Sequence, residues 1–177
     1  MRAFLAIEMP AEVADALCRV QALLPAGRRV PAENLHLTLA FLDEQPVHRL
    51  EALDAELQTL RAAPCMVAFD GLGQFTAARQ GLIHAAVRAG PDLLALHGAL
   101  GRAVRRAGIR PDRTRFHPHV TLLRGVAPGA ALPGPDALPP LPGFCAGEVT
   151  LMRSQLHRQG ARYAVLARYP LAGSPLG

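Results

Sequence analysis

The segments His36-Leu37-Thr38-Leu39 and His119-Val120-Thr121-Leu122 repeat one pattern: histidine, apolar residue, threonine, leucine. Each lies in an apolar run, Leu35 to Leu42 and Phe116 to Leu123, that reads as a β-strand. Alternate side chains of a strand share a face. His36 therefore stands beside Thr38, and His119 beside Thr121, while the leucines and the valine turn into a core. Two copies, 83 residues apart in a chain with seven histidines, read as the two halves of one site.

The surrounding pattern is also duplicated. Arg2 to Met9 reads as a strand, and Pro10 to Leu24 has helical spacing with proline at its first turn. Pro25 to Arg29 is a linker, and the first His/Thr strand follows. The second round has a strand at Gly81 to Val87, a helix at Pro91 to Arg106 and the second His/Thr strand from Arg115 to Arg124. His36 follows its helix-opening proline by 26 residues, and His119 follows its own by 28. The expected fold is α+β, a single bilobal domain over residues 1–177. It has two pseudo-symmetric lobes, each an antiparallel sheet with helices packed outside, and the active-site cleft lies between them. A helix at Val47 to Leu60 and a strand at Cys65 to Leu72 fill the first half. Arg124 to Gly143, with six prolines and four glycines, reads as an irregular loop. Phe144 to Ser154 and Arg162 to Leu171 close the chain as a hairpin across Gly160.

Charge adds a constraint on the partner. All 19 basic residues are arginines. Residues 1–87 carry a balance of −3 and residues 88–177 one of +8. A compositional bias accounts for the missing lysine but acts on both halves alike, so the asymmetry points to a polyanion. No apolar run reaches the roughly 18 residues of a membrane span, and Met1 to Pro10 reads as a strand in place of a signal peptide. Cys18, Cys65 and Cys145 form no paired spacing, which favours a reducing, cytoplasmic setting over a disulfide framework.

Two imidazoles facing one pocket can act as general base and general acid. Threonine hydroxyls on the same face can hold an anion between them. Such a set suits in-line displacement at a phosphodiester without a metal. Two other readings remain open at this level. His117-Pro118-His119 has a metal-ligand spacing, though only Glu33 and Asp43 lie near either His/Thr strand. A non-catalytic RNA-binding module could keep the basic half, although six Phe and two Tyr are few for a binder based on stacking. For His48, His97 and His157 a structural role is expected, and His84 is left open.

These residues carry a resemblance. The chain resembles the 2H phosphoesterase superfamily, and within it the RNA 2′,3′-cyclic phosphodiesterases, or 2′-5′ RNA ligases, of the LigT type. The likeness runs through Arg2–Pro10, Val30–Leu42, Gly71–Gly73, Phe116–Arg124 and Gly160–Leu171. It implies hydrolysis of a 2′,3′-cyclic phosphate at an RNA end, tRNA fragments among the substrates, to a 2′-phosphate, with 2′-5′ joining as a related reaction. By resemblance His36 is the proton donor to the leaving oxygen and His119 the acceptor from water. Thr38 and Thr121 hold phosphate oxygens, and Arg124 adds positive charge. No metal or cofactor is implied, and a monomer is expected. Strict alternation would put Arg124 on the face opposite His119, so it reaches the cleft only if the strand ends or bulges near Leu123, where Gly125 follows. Many relatives have a Trp near Leu82–Ala85; this chain has none.

Overall fold

Strand β1 (Arg2–Glu8) is apolar and buried from Ala3 to Ile7, as a short continuous apolar run enclosed on both faces should be. In the computed structural model of the chain, which describes residues 1–25, 27–77, 80–111, 114–157 and 160–172, two antiparallel neighbours enclose it. They are β3 (His36–Glu44) and β9 (Glu148–His157). β10 (Gly160–Pro170) pairs with β9 and completes this half of the sheet.

The second half repeats the arrangement. β6 (Gln80–Val87) lies between β5 (Phe69–Ala77) and β7 (His119–Val126), both antiparallel to it. The strand order is β10-β9-β1-β3-β7-β6-β5, with β2 (Arg28–Arg29) added on β7. The two halves join through one residue pair, Leu37 opposite Val120. Beyond that pair β3 and β7 diverge, and the divergence opens the cleft.

Helix α1 (Ala11–Ala22) buries Val13, Ala16, Leu17 and Val20. α2 (Val47–Gln58) buries Leu50, Leu53 and Leu57. α3 (Pro91–Arg106) buries Leu93, Leu96, Leu100 and Val104. These spacings of three and four place one apolar stripe on the sheet. α1 touches β7 and α3 touches β3, so each helix supports the His/Thr strand of the opposite half. The expected duplication is therefore present as β1-α1-β3 and β6-α3-β7.

Some boundaries differ from the sequence reading. The runs Cys65–Leu72 and Phe144–Ser154 are each broken in two. Their first parts, β4 (Cys65–Val67) and β8 (Phe144–Ala146), leave the main sheet and pair with one another. The second His/Thr strand begins at His119, not Arg115, since Pro118 offers no N–H for a ladder. His157 ends β9 rather than standing in the turn, whose residues 158–159 lie outside the described ones. Among the described residues no helix is long and apolar enough to cross a membrane.

Candidate active site

The divergence of β3 and β7 leaves a cleft of about 690 Å³ lined by all five residues singled out from the sequence: His36, Thr38, His119, Thr121 and Arg124. Alternation holds across both motifs. Leu37, Leu39, Val120 and Leu122 are buried, and the histidines and threonines face the cleft half-buried.

Both histidines are anchored in the same way. His36 Nδ1 lies 2.7 Å from Asn34 O, and His119 Nδ1 lies 2.7 Å from His117 O. A carbonyl only accepts, so Nδ1 carries the hydrogen in each ring and Nε2 is the atom that gains or loses a proton. The first anchor is fixed in turn, because Asn34 Nδ2 donates to Ala161 O of β10 at 3.2 Å. Burial lowers the pKa of both histidines, and the nearby Arg124 charge pushes the same way; the carbonyl contacts oppose this.

Arg124 enters the cleft through a β-bulge. In the β6–β7 ladder His84 stands opposite Thr121 and Ile83 opposite Leu123, so Leu122 is an extra residue and reverses the alternation. The strand also continues past this point to Val126, with a second irregularity at Gly125, whose φ of 70° suits glycine. β3 has the same device. Ala6 faces Thr38 and Leu5 faces Ala40, leaving Leu39 as the extra residue. Phe41 consequently occupies in the first half the position that Arg124 occupies in the second, and it lines the cleft with 53% exposure.

Several contributors escaped the sequence reading. Phe4 and Tyr163 pack on His36, with ring centroids at 4.9 and 5.1 Å. Phe75 and His84 pack on His119, both at 5.0 Å. His84 is buried, stacks on Phe75 at 4.3 Å, and has its pKa lowered to about 4, first by burial and then by the charges of His119 and His117. It is a neutral support under His119. Gly73 makes room for it, since a Cβ there would stand 2.4 Å from His84 Nε2. Of the histidines for which a structural role was expected, His97 donates Nδ1–H to Leu39 O at 2.9 Å and its ring stacks on Phe116. His48 is exposed on α2.

The electrostatics are one-sided. Arg2, Arg28 and Arg29 join Arg124 in the lining, which among the described residues contains no carboxylate. None of the four makes an ion pair among the described residues. Glu8 stands opposite His36 in the ladder, but its carboxylate is held by Arg168 and by Thr150 Oγ1. Such a wall concentrates anions and forks onto phosphate oxygens. His117 is exposed beside the site, and among the described residues no three metal-ligating side chains come together.

The sequence and the fold both have counterparts among known proteins. The family model of the 2′-5′ RNA ligase superfamily matches residues 9–158. The chain is 34% identical over 178 residues to the RNA 2′,3′-cyclic phosphodiesterase of Escherichia coli (strain K12), covering 96% of both. It is 35% identical over 197 residues to the RNA 2′,3′-cyclic phosphodiesterase of Thermus thermophilus, covering 98% of this chain and 91% of that one. The crystal structure of Escherichia coli LigT complexed with 3′-AMP matches with a TM-score of 0.83 at 32% identity, over 96% of this chain and 97% of that one.

Proposed function

The chain belongs to the 2′-5′ RNA ligase superfamily, and from that premise we propose that it hydrolyses 2′,3′-cyclic phosphate ends of RNA by acid–base catalysis with His36 and His119. The observation that carries the proposal is the matched pair of imidazoles. Each projects from a pseudo-equivalent strand, each is held through Nδ1 by a carbonyl two residues earlier, and both line one arginine-rich cleft.

In the reaction, neutral His119 accepts a proton at Nε2 from water as the water attacks phosphorus. Protonated His36 gives its Nε2 proton to the departing 3′-oxygen on the opposite side. The P–O3′ bond breaks as the new P–O bond forms, leaving a 2′-phosphate and a 3′-hydroxyl. His119 then loses a proton to solvent and His36 regains one. Thr38, Thr121 and Arg124 hold the non-bridging oxygens, where negative charge increases in the transition state. A 5′-hydroxyl of another RNA in place of water would yield a 2′-5′ bond by the same transfers.

The substrate class follows from kinship and from the four cleft arginines, with tRNA fragments as members of that class. His36, Thr38, His119, Thr121 and Arg124 all come from the same chain, so the site needs no residue of a second copy, and a monomer is the expected state. Cys18, Cys65 and Cys145 are free, which fits a reducing cytoplasm. The direct test is incubation with a short RNA bearing a 2′,3′-cyclic phosphate in the presence of chelator, with phosphorus NMR of the product. A 2′-phosphate is expected. A 3′-phosphate would reverse the roles of the two histidines. Binding without turnover would leave an RNA-binding module, and activity dependent on metal would replace the mechanism.

A further inference from the structure

The geometry points to Gln21 and His97 as positioning residues that hold β3 and β7 apart and fix the bulges that turn Phe41 and Arg124 into the cleft. The inference rests on the reading of that cleft as a phosphoesterase site. Neither side chain lines the cleft.

β3 and β7 are joined at Leu37–Val120. Continuing this antiparallel register by two residues would set Leu39 opposite Pro118, and Leu122 opposite Leu35. Neither partner can donate. Proline has no N–H, and the Leu35 N–H is given to Ala32 O in the 3₁₀ turn before β3, at 3.1 Å. The two leucines are buried, so their carbonyls need donors from elsewhere. His97 on α3 donates Nδ1–H to Leu39 O at 2.9 Å. Gln21 on α1, 4% exposed, donates through Nε2 to Leu122 O and to Val30 O, each at 2.9 Å. The Val30 N–H also reaches Leu122 O at 2.9 Å.

The correspondence between halves is what gives these bonds a purpose. Leu39 and Leu122 are the fourth residues of the two motifs, and both are the extra residues of their bulges. Each is bonded by a side chain of the helix that crosses from the other half. If a bulge were lost, the strand beyond it would shift by one position, and Arg124 or Phe41 would turn to the opposite face. The histidines and threonines precede the bulges, and the imidazoles have their own anchors at Asn34 O and His117 O. Removing a clamp should therefore misplace the residue beyond the bulge: loss of the His97 bond should leave the titration of His36 and His119 unaltered, whereas loss of the Gln21 bond takes the Arg124 charge away from both and should raise their pKa values.

Two double-mutant cycles test this, one in each half: Gln21→Leu with Arg124→Ala, and His97→Phe with Phe41→Ala. His97→Phe keeps a ring against Phe116. Each clamp variant should raise KM and lower kcat/KM by up to about 100-fold, the scale of an ångström misplacement. The pH profile should not move in His97→Phe, and in Gln21→Leu it should move to higher pH as it does in Arg124→Ala. Each double variant should be no worse than its Arg124→Ala or Phe41→Ala parent, and His97→Gln should restore activity by again offering an N–H. A merely structural role would lower the melting temperature and multiply the losses, and that result, or wild-type kcat/KM in the clamp variants, overturns the proposal. If Gln21→Leu does not fold, Gln21→Asn, which withdraws the amide by one methylene, replaces it in the cycle. The same cycles are run on affinity for 2′-AMP. A wild type that fails to turn over cyclic phosphate would refute the phosphodiesterase reading, while the affinity cycles would still decide this one.

Discussion

Acid should destabilise this protein through His84 in particular. The ring is 6% exposed, its Nδ1 has no hydrogen-bond partner among the described residues, and it lies between Phe75 and His119. Its pKa is lowered to about 4, against about 6.5 in an unfolded chain. Because the folded value is the lower one, the unfolded state binds more protons between these limits. Stability is then complete above pH 6.5 and declines as pH falls toward 4. The difference corresponds to roughly 3 kcal/mol, a large share of the ~5–15 kcal/mol that holds a domain together. The control is His84→Ala, because Ala6 occupies the equivalent position in the first half, opposite Thr38 as His84 is opposite Thr121. Alanine leaves a cavity and lowers stability at every pH, so the informative quantity is the slope. Urea unfolding at half-unit steps from pH 7.5 to 4 should show the wild type losing roughly 3 kcal/mol more than His84→Ala. His36 and His119 also have lowered values, but they contribute to both proteins. Parallel curves would refute the reasoning, since His84 would then be gaining a proton in the folded state without cost.

Other expectations follow from the same geometry. Gly73→Ala puts a Cβ 2.4 Å from His84 Nε2, so it should cost ~1–3 kcal/mol by overpacking and lower kcat by displacing the ring beneath His119; thermal melts and turnover measure both. His36→Ala and His119→Ala should each reduce turnover ~10²- to 10⁴-fold. Thr38→Ala and Thr121→Ala should cost less, because each removes one donor and leaves the proton-transfer pair intact; steady-state kinetics ranks them. RNA affinity should fall with added salt, and the slope should shrink when Arg28 and Arg29 are replaced by alanine, if these arginines contact phosphates. Equal slopes would remove them from the binding path.

The parts of the fold set by periodicity were open to reading from the sequence. The two His/Thr strands, the three amphipathic helices and the repeated order of strand, helix and strand follow from spacings of two and of three to four. The two anchors were not legible, because the carbonyl of Asn34 or His117 leaves no trace in residue type. Arg124 shows the limit most clearly. Strict alternation excludes it from the cleft, and Gly125 hinted at an irregularity, but the residue that reverses the face is Leu122, chemically indistinguishable from its strand neighbours. The same bulge at Leu39 brought in Phe41, which nothing in its local sequence marked. Tyr163 and Phe75 come from strands distant in the chain from the histidines they pack on, and the ladder alone sets them there. His84 could be resolved only once Gly73 was found across the ladder, leaving the space its ring fills.

The pH dependence of kcat/KM, measured for the wild type and for His36→Ala and His119→Ala, tests the central claim most directly. A pair in which one imidazole must be neutral and the other protonated gives a bell whose optimum lies midway between the two pKa values. Both are lowered in the free protein, so the optimum should lie below pH 6.5. The acid limb, which reports deprotonation of the base, should disappear in the residual activity of His119→Ala. The alkaline limb, which reports loss of the acid's proton, should disappear in that of His36→Ala. A profile that stays bell-shaped in either variant, or a wild-type rate flat across this range, would contradict catalysis by these two histidines.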